Sequence, residues 1–439
     1  MLNTRITHTL AFIITSFPPE VSGTSLGNWE RIQWFAKQGV YRVVVFVPDW
    51  QNRTVSLPVP SDLCENFIIE RYPSKPWFVY NLNHVPRLFA ARQISKKLAQ
   101  YQPNLIILAD VERVFFFSTW QLPGRQYARQ NNIRYIAHYH TDFYNFALAY
   151  PRWRWSRNVF LRPLTKQLYS QLDGTICSTS NARKSLENMG LSNVKAIEFV
   201  GIDVSNYSPA RRSRKWLEPW LKIEEKNNVV ILFLGRLGPE KRVDLLIKAF
   251  AKLKLSNQYK YSLLIAGDGP LDSVRQLKIL AQGIPDIHFT GFLHGETKAN
   301  VLASCDVFCL PSPYETFGRV VVEAMASGIP VVAVNSGAVP DYLIDRVNGY
   351  LVPANSVEEL TNGLQTALSS NNVEIVRNAL QSVQHFSVEL GCQRLNHYYQ
   401  EILKLQQFNQ LNDRGNRDES NLAENCARTN MLGTLYDES

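Results

Sequence analysis

Two carboxylates, Glu315 and Glu323, stand eight residues apart in Pro311-Ser-Pro-Tyr-Glu-Thr-Phe-Gly-Arg-Val-Val-Val-Glu-Ala-Met-Ala-Ser-Gly-Ile-Pro330. Tyr314 to Phe317 read as a turn and Gly318 to Ser327 as the first turns of a helix. Gly328 reads as its stop, and Pro330 to Val334 as a buried strand. One carboxylate then sits on the loop entering a helix, and the other lies about two turns further along. Between them the N–H groups of Phe317, Gly318 and Arg319 have no partner inside the helix and mark an anion site. A pair of solvated surface glutamates is the plain alternative. The helix also carries Val320, Val321, Val322, Ala324, Met325 and Ala326, however, so it must be largely buried. A carboxylate there costs several kcal/mol unless it has a partner. Acid, anion hole and acid on one element suit a ligand whose phosphate is flanked by hydroxyl-rich groups, such as a nucleotide sugar.

Other stretches carry compatible chemistry. Gly235-Arg236-Leu237-Gly238-Pro239-Glu240-Lys241 follows an apolar run, Val229 to Leu234. Its glycines allow a sharp turn, and Arg236 and Lys241 could clamp a pyrophosphate and neutralise charge on a leaving group; solvated surface cations are the alternative. Gly267-Asp268-Gly269-Pro270 is a tight turn after the next strand. In Gly291-Phe292-Leu293, Phe292 could face a nucleobase or simply fill the core. Gly23, in Phe17-Pro-Pro-Glu-Val-Ser-Gly-Thr-Ser25, would let backbone approach a phosphate or sugar. His140, in Tyr139-His-Thr-Asp142, ends a strand where it could meet the transferred group or the acceptor hydroxyl. A strand-end histidine that only makes a hydrogen bond is the bland reading.

These residues need a scaffold that turns strand ends toward one place. At 439 residues the chain is too long for one core and suggests two domains. In the first half, strands at Leu10–Thr15, Arg42–Val47, Asn104–Ala109, Ile133–His138, Gly174–Ser178 and Val194–Val200 alternate with helices such as Asn28–Gln38 and Phe89–Gln100. The second half repeats the design, with strands at Val229–Leu234, Tyr261–Ala266, Ile287–Thr290, Val307–Leu310 and Pro330–Val334. Its helices are expected at Val243–Lys254, Leu271–Gln282, Glu296–Ala303, Arg319–Ser327 and Val357–Ser369. Near-continuous Val/Ile runs between helices mean parallel strands covered on both faces. The expectation is α/β: two Rossmann-like doubly wound domains, 1–207 and 229–387, facing a cleft. A polar linker spans 208–228, and a disordered tail is expected over 406–439. Every motif above falls at the carboxyl end of a strand, where such sheets bind ligands.

Composition narrows the class. The 45% hydrophobic and 19% charged content is that of an ordinary soluble protein, and no run of about 18 apolar residues could span a membrane. The start reads as the first strand of the fold, not as a signal peptide. The six cysteines show no Cys-x-x-Cys pattern, so a zinc site is not expected and a reducing cytoplasm is the default. Charge is lopsided: residues 1–215 hold 27 Lys and Arg against 13 Asp and Glu, and the remainder 20 against 25. A basic first half fits an anionic partner surface. Within it, Tyr150 to Arg162 interleaves arginine with tryptophan and phenylalanine. That suits a lipid–water interface and would equally suit single-stranded nucleic acid; an amphipathic helix with its aromatics inward is the alternative.

Over residues 8–400 the chain resembles the family-4 retaining glycosyltransferases, which have the two-domain GT-B fold. The likeness is most specific in the Glu-x7-Glu stretch and in Gly-Arg-x4-Lys with the Gly-Asp-Gly-Pro that follows. It implies that Arg236 and Lys241 hold the donor diphosphate, that Glu323 binds the ribose hydroxyls, and that Glu315 lies against the donor sugar. His140 is implied at the reaction centre. Gly23, Gly269, Phe292, Phe317, Gly318 and Arg319 are expected at the donor site from their own loops and the helix start read above. A final helix, about Val388–Leu405, is implied to cross back onto the first domain. No metal or cofactor is implied. The partners implied are a nucleotide sugar donor, a lipid or carbohydrate acceptor and an anionic membrane surface met through the basic first domain, not nucleic acid. Ser22-Gly23 and Val200-Gly201-Ile202-Asp203 depart from the family's Gly-Gly and Asn-Gly-Val-Asp, which bears on the acceptor loop and sugar preference. A nucleotide-sugar epimerase on the same fold and a non-catalytic nucleotide-sugar-binding protein are the rival readings.

Overall fold

The computed structural model describes residues 6–20, 22–50, 66–77, 80–117, 120–150, 157–221, 228–255 and 260–407. Among these residues the first half runs β1 (His8–Ile13), β2 (Tyr41–Pro48), β3 (Phe67–Tyr72), a hairpin of β4 (Ser74–Trp77) and β5 (Tyr80–Pro86), β6 (Leu105–Ala109), β7 (Arg134–Tyr139), β8 (Gly174–Cys177) and β9 (Val194–Ala196). All but the hairpin form a parallel sheet ordered β3-β2-β1-β6-β7-β8-β9. The second half runs β10 (Asn228–Leu234), β11 (Lys260–Ala266), β12 (Ile287–Gly291), β13 (Val307–Leu310), β14 (Val331–Val334) and β15 (Tyr350–Val352). These form a second parallel sheet ordered β12-β11-β10-β13-β14-β15.

Strand residues alternate between two layers, as the two-residue period requires. Leu10, Phe12, Val43, Val45, Leu105 and Ile107 face one cluster, whereas Ala11, Ile13, Val44, Phe46, Ile106 and Leu108 face the other. Helices cover both faces, which is why these strands read as unbroken apolar runs. In the second domain the helix Val243–Lys254 buries Val243, Leu246, Ile247, Phe250 and Leu253, one stripe at helical spacing.

The order of each sheet matters more to function than its size. Strand order reverses between β1 and β6 in the first sheet and between β10 and β13 in the second. At such a switch point the loops leave toward opposite faces and open a crevice beyond the strand ends. The loops after β10 and β13 carry Arg236, Lys241 and Glu315. Those after β1 and β6 carry residues 14–20 and Asp110, with the helix Val111–Phe117 starting directly after the latter.

Several expectations shift. The first helix spans Gly23–Lys37, five residues earlier than its apolar pattern begins, because the Ser22 side chain caps it by accepting from Ser25 N. Strands β3 and β15 and the β4–β5 hairpin were not expected; β15 is three residues long and β3 carries Glu70 and Arg71 in its apolar run. Residues 208–221 are no free linker. Arg212 donates to the Cys305 carbonyl at 2.7 Å, Arg214 pairs with Asp306 at 2.7 Å, and Leu217 is buried in the second core. Residues 222–227 and the tail beyond 407 lie outside the described residues. The helix 388–407 returns to the first domain, placing Leu395, Tyr399, Ile402 and Leu403 in its core.

Candidate active site

The second switch point assembles first. The turn after β10 is held flat against the turn after β11. A Cβ on Gly267, which has φ +145°, would stand 1.8 Å from the Gly235 carbonyl, and one on Gly269 would stand 2.7 Å from that of Leu237. Glycine is therefore required for the loops to nest. Gly269 acts as a buttress for the arginine loop.

On that support Arg236 donates to Glu240 Oε1 from Nη2 (2.7 Å) and Nε (3.0 Å), and Tyr150 Oη from the first domain donates to Glu240 Oε2 at 2.8 Å. Burial alone would raise the Glu240 carboxyl, but Arg236 and Lys241 outweigh it and hold it below its ordinary value. Lys241 Nζ lies 2.5 Å from Glu315 Oε1, with side-chain exposures of 21% and 8%. The sequence suggested two cations able to clamp a pyrophosphate, or solvated surface cations; in the protein both are matched by carboxylates. Arg236 and Glu240 have the i,i+4 spacing that signals such a pair.

Glu315 leads into the helix Arg319–Ala326, whose N-cap Gly318 is left-handed with φ +84°. Tyr342 Oη donates to the Phe317 carbonyl at 2.5 Å, and the Phe317 ring packs on Tyr342 and Phe386, so the helix start is rigidly held. Glu323, 2% exposed, accepts from Lys298 Nζ at 2.8 Å on Oε1; its buried Oε2 has no hydrogen bond of good geometry, and the Tyr207 hydroxyl stands beside the carboxylate. Burial works against its charge, but Lys298 and Arg319 keep the carboxyl below its ordinary value. Lys298, which closes this pair from the neighbouring helix Gly295–Ser304, carries no sequence signal.

The two domains meet here. Thr316 Oγ1 donates to the His140 carbonyl at 2.6 Å. Arg319 Nη1 reaches Glu30 Oε2 at 2.9 Å, passing Gly23, where an added Cβ would come within 3.5 Å of Arg319 Cδ. Arg319 and Glu30 thus tie one helix of each domain together across the cleft. His140 follows β7 and lies with Nε2 3.4 Å from Arg31 Nη2, its ring edge-on to Phe199. A guanidinium can only donate, so Nε2 is the acceptor and the ring proton sits on Nδ1. Burial, then the Arg31 charge, pushes His140 well below its ordinary pKa, so it is neutral at pH 7. Behind it, His138 Nε2 is 2.7 Å from Tyr399 Oη on the returning helix.

Thr316 with His140, Arg319 with Glu30 and Gly23, and Glu240 with Tyr150 thus join the two domains, Arg236, Lys241, Glu315 and Gly318 lie on the same loops, and Phe317 and Glu323 are buried behind them in the second domain. Phe292 stands apart, on the loop after edge strand β12, with its ring 5.8 Å from that of His294. Glu30, Arg31, Glu240, Lys298 and Thr316 were not foreseen. Of the stretch 150–162, residues 151–156 lie outside the described residues, and Val159 and Phe160 are exposed, not turned inward.

Two doubly wound domains whose switch points face each other over paired cations and carboxylates define the GT-B architecture. Two family models match the chain, one on each domain: Glycosyltransferase Family 4 over residues 21–199 and Glycosyl transferases group 1 over residues 216–381. The chain belongs to the family-4 retaining glycosyltransferases. Among curated relatives, a GDP-mannose-dependent alpha-mannosyltransferase of Mycolicibacterium smegmatis is 26% identical over 90% of this chain and 97% of its own. One from Corynebacterium glutamicum is 29% identical over 72% and 71%. Sulfoquinovosyl transferase SQD2 of Arabidopsis thaliana is 29% identical over 63% of this chain and 52% of its own. Sucrose-phosphate synthase from Thermosynechococcus elongatus shares the fold at TM-score 0.74 and 20% identity, covering 91% of this chain and 100% of that one. Anabaena HepE, in complex with UDP and glucose, does so at TM-score 0.66 and 20% identity, over 90% and 100%.

Proposed function

We propose that the chain moves a hexose from a nucleotide diphosphate sugar to a hydroxyl of a lipid or polysaccharide precursor, with the α configuration retained. The observation that carries this reading is the Lys241–Glu315 pair at the second switch point, bonded through Thr316 to the His140 segment. Donor binding exchanges partners there. Lys241 leaves Glu315 for the diphosphate, joined by Arg236 and the first N–H groups of the helix at Gly318. Glu315, released, takes hydroxyls of the sugar. The Oε2 of Glu323 takes a ribose hydroxyl, which leaves Lys298 on Oε1.

In the transfer itself the bond from sugar C1 to the phosphate oxygen breaks, and its electron pair stays on the diphosphate. The acceptor oxygen bonds to C1 on the same face, and its proton passes to the departing phosphate oxygen. Neutral His140, with its proton on Nδ1, would donate a hydrogen bond to a hydroxyl of the transferred sugar and so hold it in position. Stabilising the leaving diphosphate is the main electrostatic task.

The lipid side of the reading draws on the relatives, which include an alpha-monoglucosyldiacylglycerol synthase and a phosphatidylinositol dimannoside mannosyltransferase. It also draws on the basic first half and on exposed Leu88, Phe89, Trp120, Val159 and Phe160 in that domain. No helix among the described residues is long and apolar enough to cross a membrane; the reading has the protein attach peripherally, at the cytoplasmic face. The test is a panel of GDP-mannose, UDP-glucose, UDP-galactose and UDP-N-acetylglucosamine, read by nucleoside diphosphate release with and without vesicles containing anionic lipid. One donor turned over, and faster with vesicles, supports the reading. Release from none of them refutes it.

A further inference from the structure

The segment that follows His140 belongs to the first domain yet ends against the cation loop of the second. Asp142 caps it, accepting from Asn145 N (3.0 Å) and Asn145 Nδ2 (2.6 Å), while Ser185 Oγ donates to the same carboxylate at 3.2 Å. One helical turn, Phe143–Phe146, leads into a 3₁₀ turn, Ala147–Ala149, closed by Tyr150 N on the Ala147 carbonyl. The Phe146 and Tyr150 rings stack, with centroids 5.2 Å apart and planes at 30°. A short, capped strut thus carries two aromatic side chains across the domain boundary.

What they touch is the arginine of the cation loop and its carboxylate. Arg236 Cζ lies 5.6 Å from the Phe146 ring centre, within cation–π range. Tyr150 Oη donates to Glu240 Oε2 at 2.8 Å, while Oε1 holds Arg236 through Nε and Nη2. Glu240 is 2% exposed, and a Cβ on Gly238 would collide with its carboxylate, so the glycine leaves the room this group occupies. Burial, then the Glu240 charge, raises the Tyr150 hydroxyl above its ordinary pKa, and it stays a hydrogen-bond donor. One carboxylate oxygen therefore serves the arginine and the other the tyrosine. Without the hydroxyl, Oε2 would be a buried acceptor lacking its donor, at a cost that the Arg236 guanidinium could relieve by turning to straddle both oxygens. That two-pronged pairing is the preferred geometry of an arginine with a carboxylate, and it aims the guanidinium at Glu240 instead of at a diphosphate.

Resting on the transferase reading above, we infer that Tyr150 is a positioning residue for the diphosphate clamp: its hydroxyl occupies the second oxygen of Glu240 and so keeps Arg236, stacked on Phe146, aimed at the diphosphate. The cation that binds the donor from one domain is set by a side chain of the other. Tyr150 acts through Glu240 and touches no substrate. Lys241, whose partner is Glu315, lies outside this chain of contacts.

The test is a double-mutant cycle on nucleotide affinity, read by isothermal titration of the full chain with GDP or UDP, whichever binds. Tyr150→Phe keeps the ring and is expected to weaken the nucleotide about fivefold, the effect of one hydrogen bond. In an Arg236→Met background the same change should cost nothing further, whereas in a Lys241→Met background the loss should persist. A general loosening of the domain contact would instead weaken binding by the same factor in all three backgrounds. Unchanged affinity in Tyr150→Phe, or an equal further loss in the Arg236→Met background, would overturn the inference. Failure of the wild type to bind either nucleotide, or wild-type affinity in Arg236→Met alone, would instead sink the clamp on which it rests.

Discussion

Replacing Glu315 by Gln should make the protein bind nucleoside diphosphate more tightly while making it a poorer enzyme. Lys241 Nζ sits 2.5 Å from Glu315 Oε1, and the carboxylate is 8% exposed, so the pair is largely screened from water. A charge-assisted hydrogen bond in such a place contributes about 1.5–3 kcal/mol. Any diphosphate that recruits Lys241 must first break it. The glutamine amide keeps the shape and can still accept a bond but has no charge, so most of that opposing term disappears. The dissociation constant for nucleoside diphosphate should fall by about tenfold or more, at about 1.4 kcal/mol per decade. Turnover should fall by at least about tenfold, because the donor sugar loses its carboxylate partner. Isothermal titration with GDP or UDP reads the first effect, and steady-state release of nucleoside diphosphate the second. Binding that weakens in step with turnover would mean that Glu315 contacts the diphosphate assembly directly and that the partner exchange does not occur.

Other outcomes follow from the same geometry. Glu323→Gln should weaken GDP or UDP by about tenfold and leave inorganic pyrophosphate unchanged, whereas Lys241→Met should weaken both; titration with the two ligands separates ribose recognition from phosphate recognition. Transfer should persist in EDTA, since Arg236 and Lys241 supply the cationic charge; loss of activity restored by Mg2+ would contradict that assignment. Burial raises Glu112 to about 8, against its bond from Tyr169, so it is protonated when folded and ionised when unfolded. The stability it contributes is whole below about pH 4.5 and is lost as pH rises toward 8, at about 1.4 kcal/mol per pKa unit. Glu112→Gln should therefore flatten the fall in urea-unfolding free energy between pH 5 and 8, and an unchanged slope would refute it. Tyr399→Phe removes the 2.7 Å bond to His138 behind His140 and should lower kcat while leaving the affinity for nucleoside diphosphate unchanged.

Much of the scaffold was legible because buried parallel strands announce themselves. Val43 to Val47 and Leu105 to Ala109 are buried without a break, and no helix period competes with them. The helix Val243–Lys254 was read to the residue because its apolar stripe coincides with its ends. The first helix was misplaced because its opening turn, Gly23 to Gly27, is small and polar apart from the exposed Leu26, and only the Ser22 cap marks it. The switch points gather Arg236, Lys241 and Glu315, and each lies on a loop that the sequence already placed at a strand end. What the sequence could not show is pairing at long range. Lys298 meets Glu323 across 25 residues, Arg319 meets Glu30 across 289, and Thr316 meets His140 across 176. The first depends on how two helices of the second domain pack and the other two on how the domains close, for which no local pattern codes. The same gap hid the pairing of Lys241 with Glu315, whereas Arg236 pairs locally with Glu240.

The central claim is that the diphosphate of a sugar nucleotide sits between the domains on Arg236, Lys241 and the helix start at Gly318. A crystal structure of the protein with GDP or UDP bound tests it most directly. The account predicts phosphate oxygens within hydrogen-bond distance of Lys241 Nζ and the Arg236 guanidinium, Lys241 parted from Glu315, and ribose hydroxyls on Glu323. A nucleotide bound elsewhere, or bound with the Lys241–Glu315 pair still closed, would contradict it.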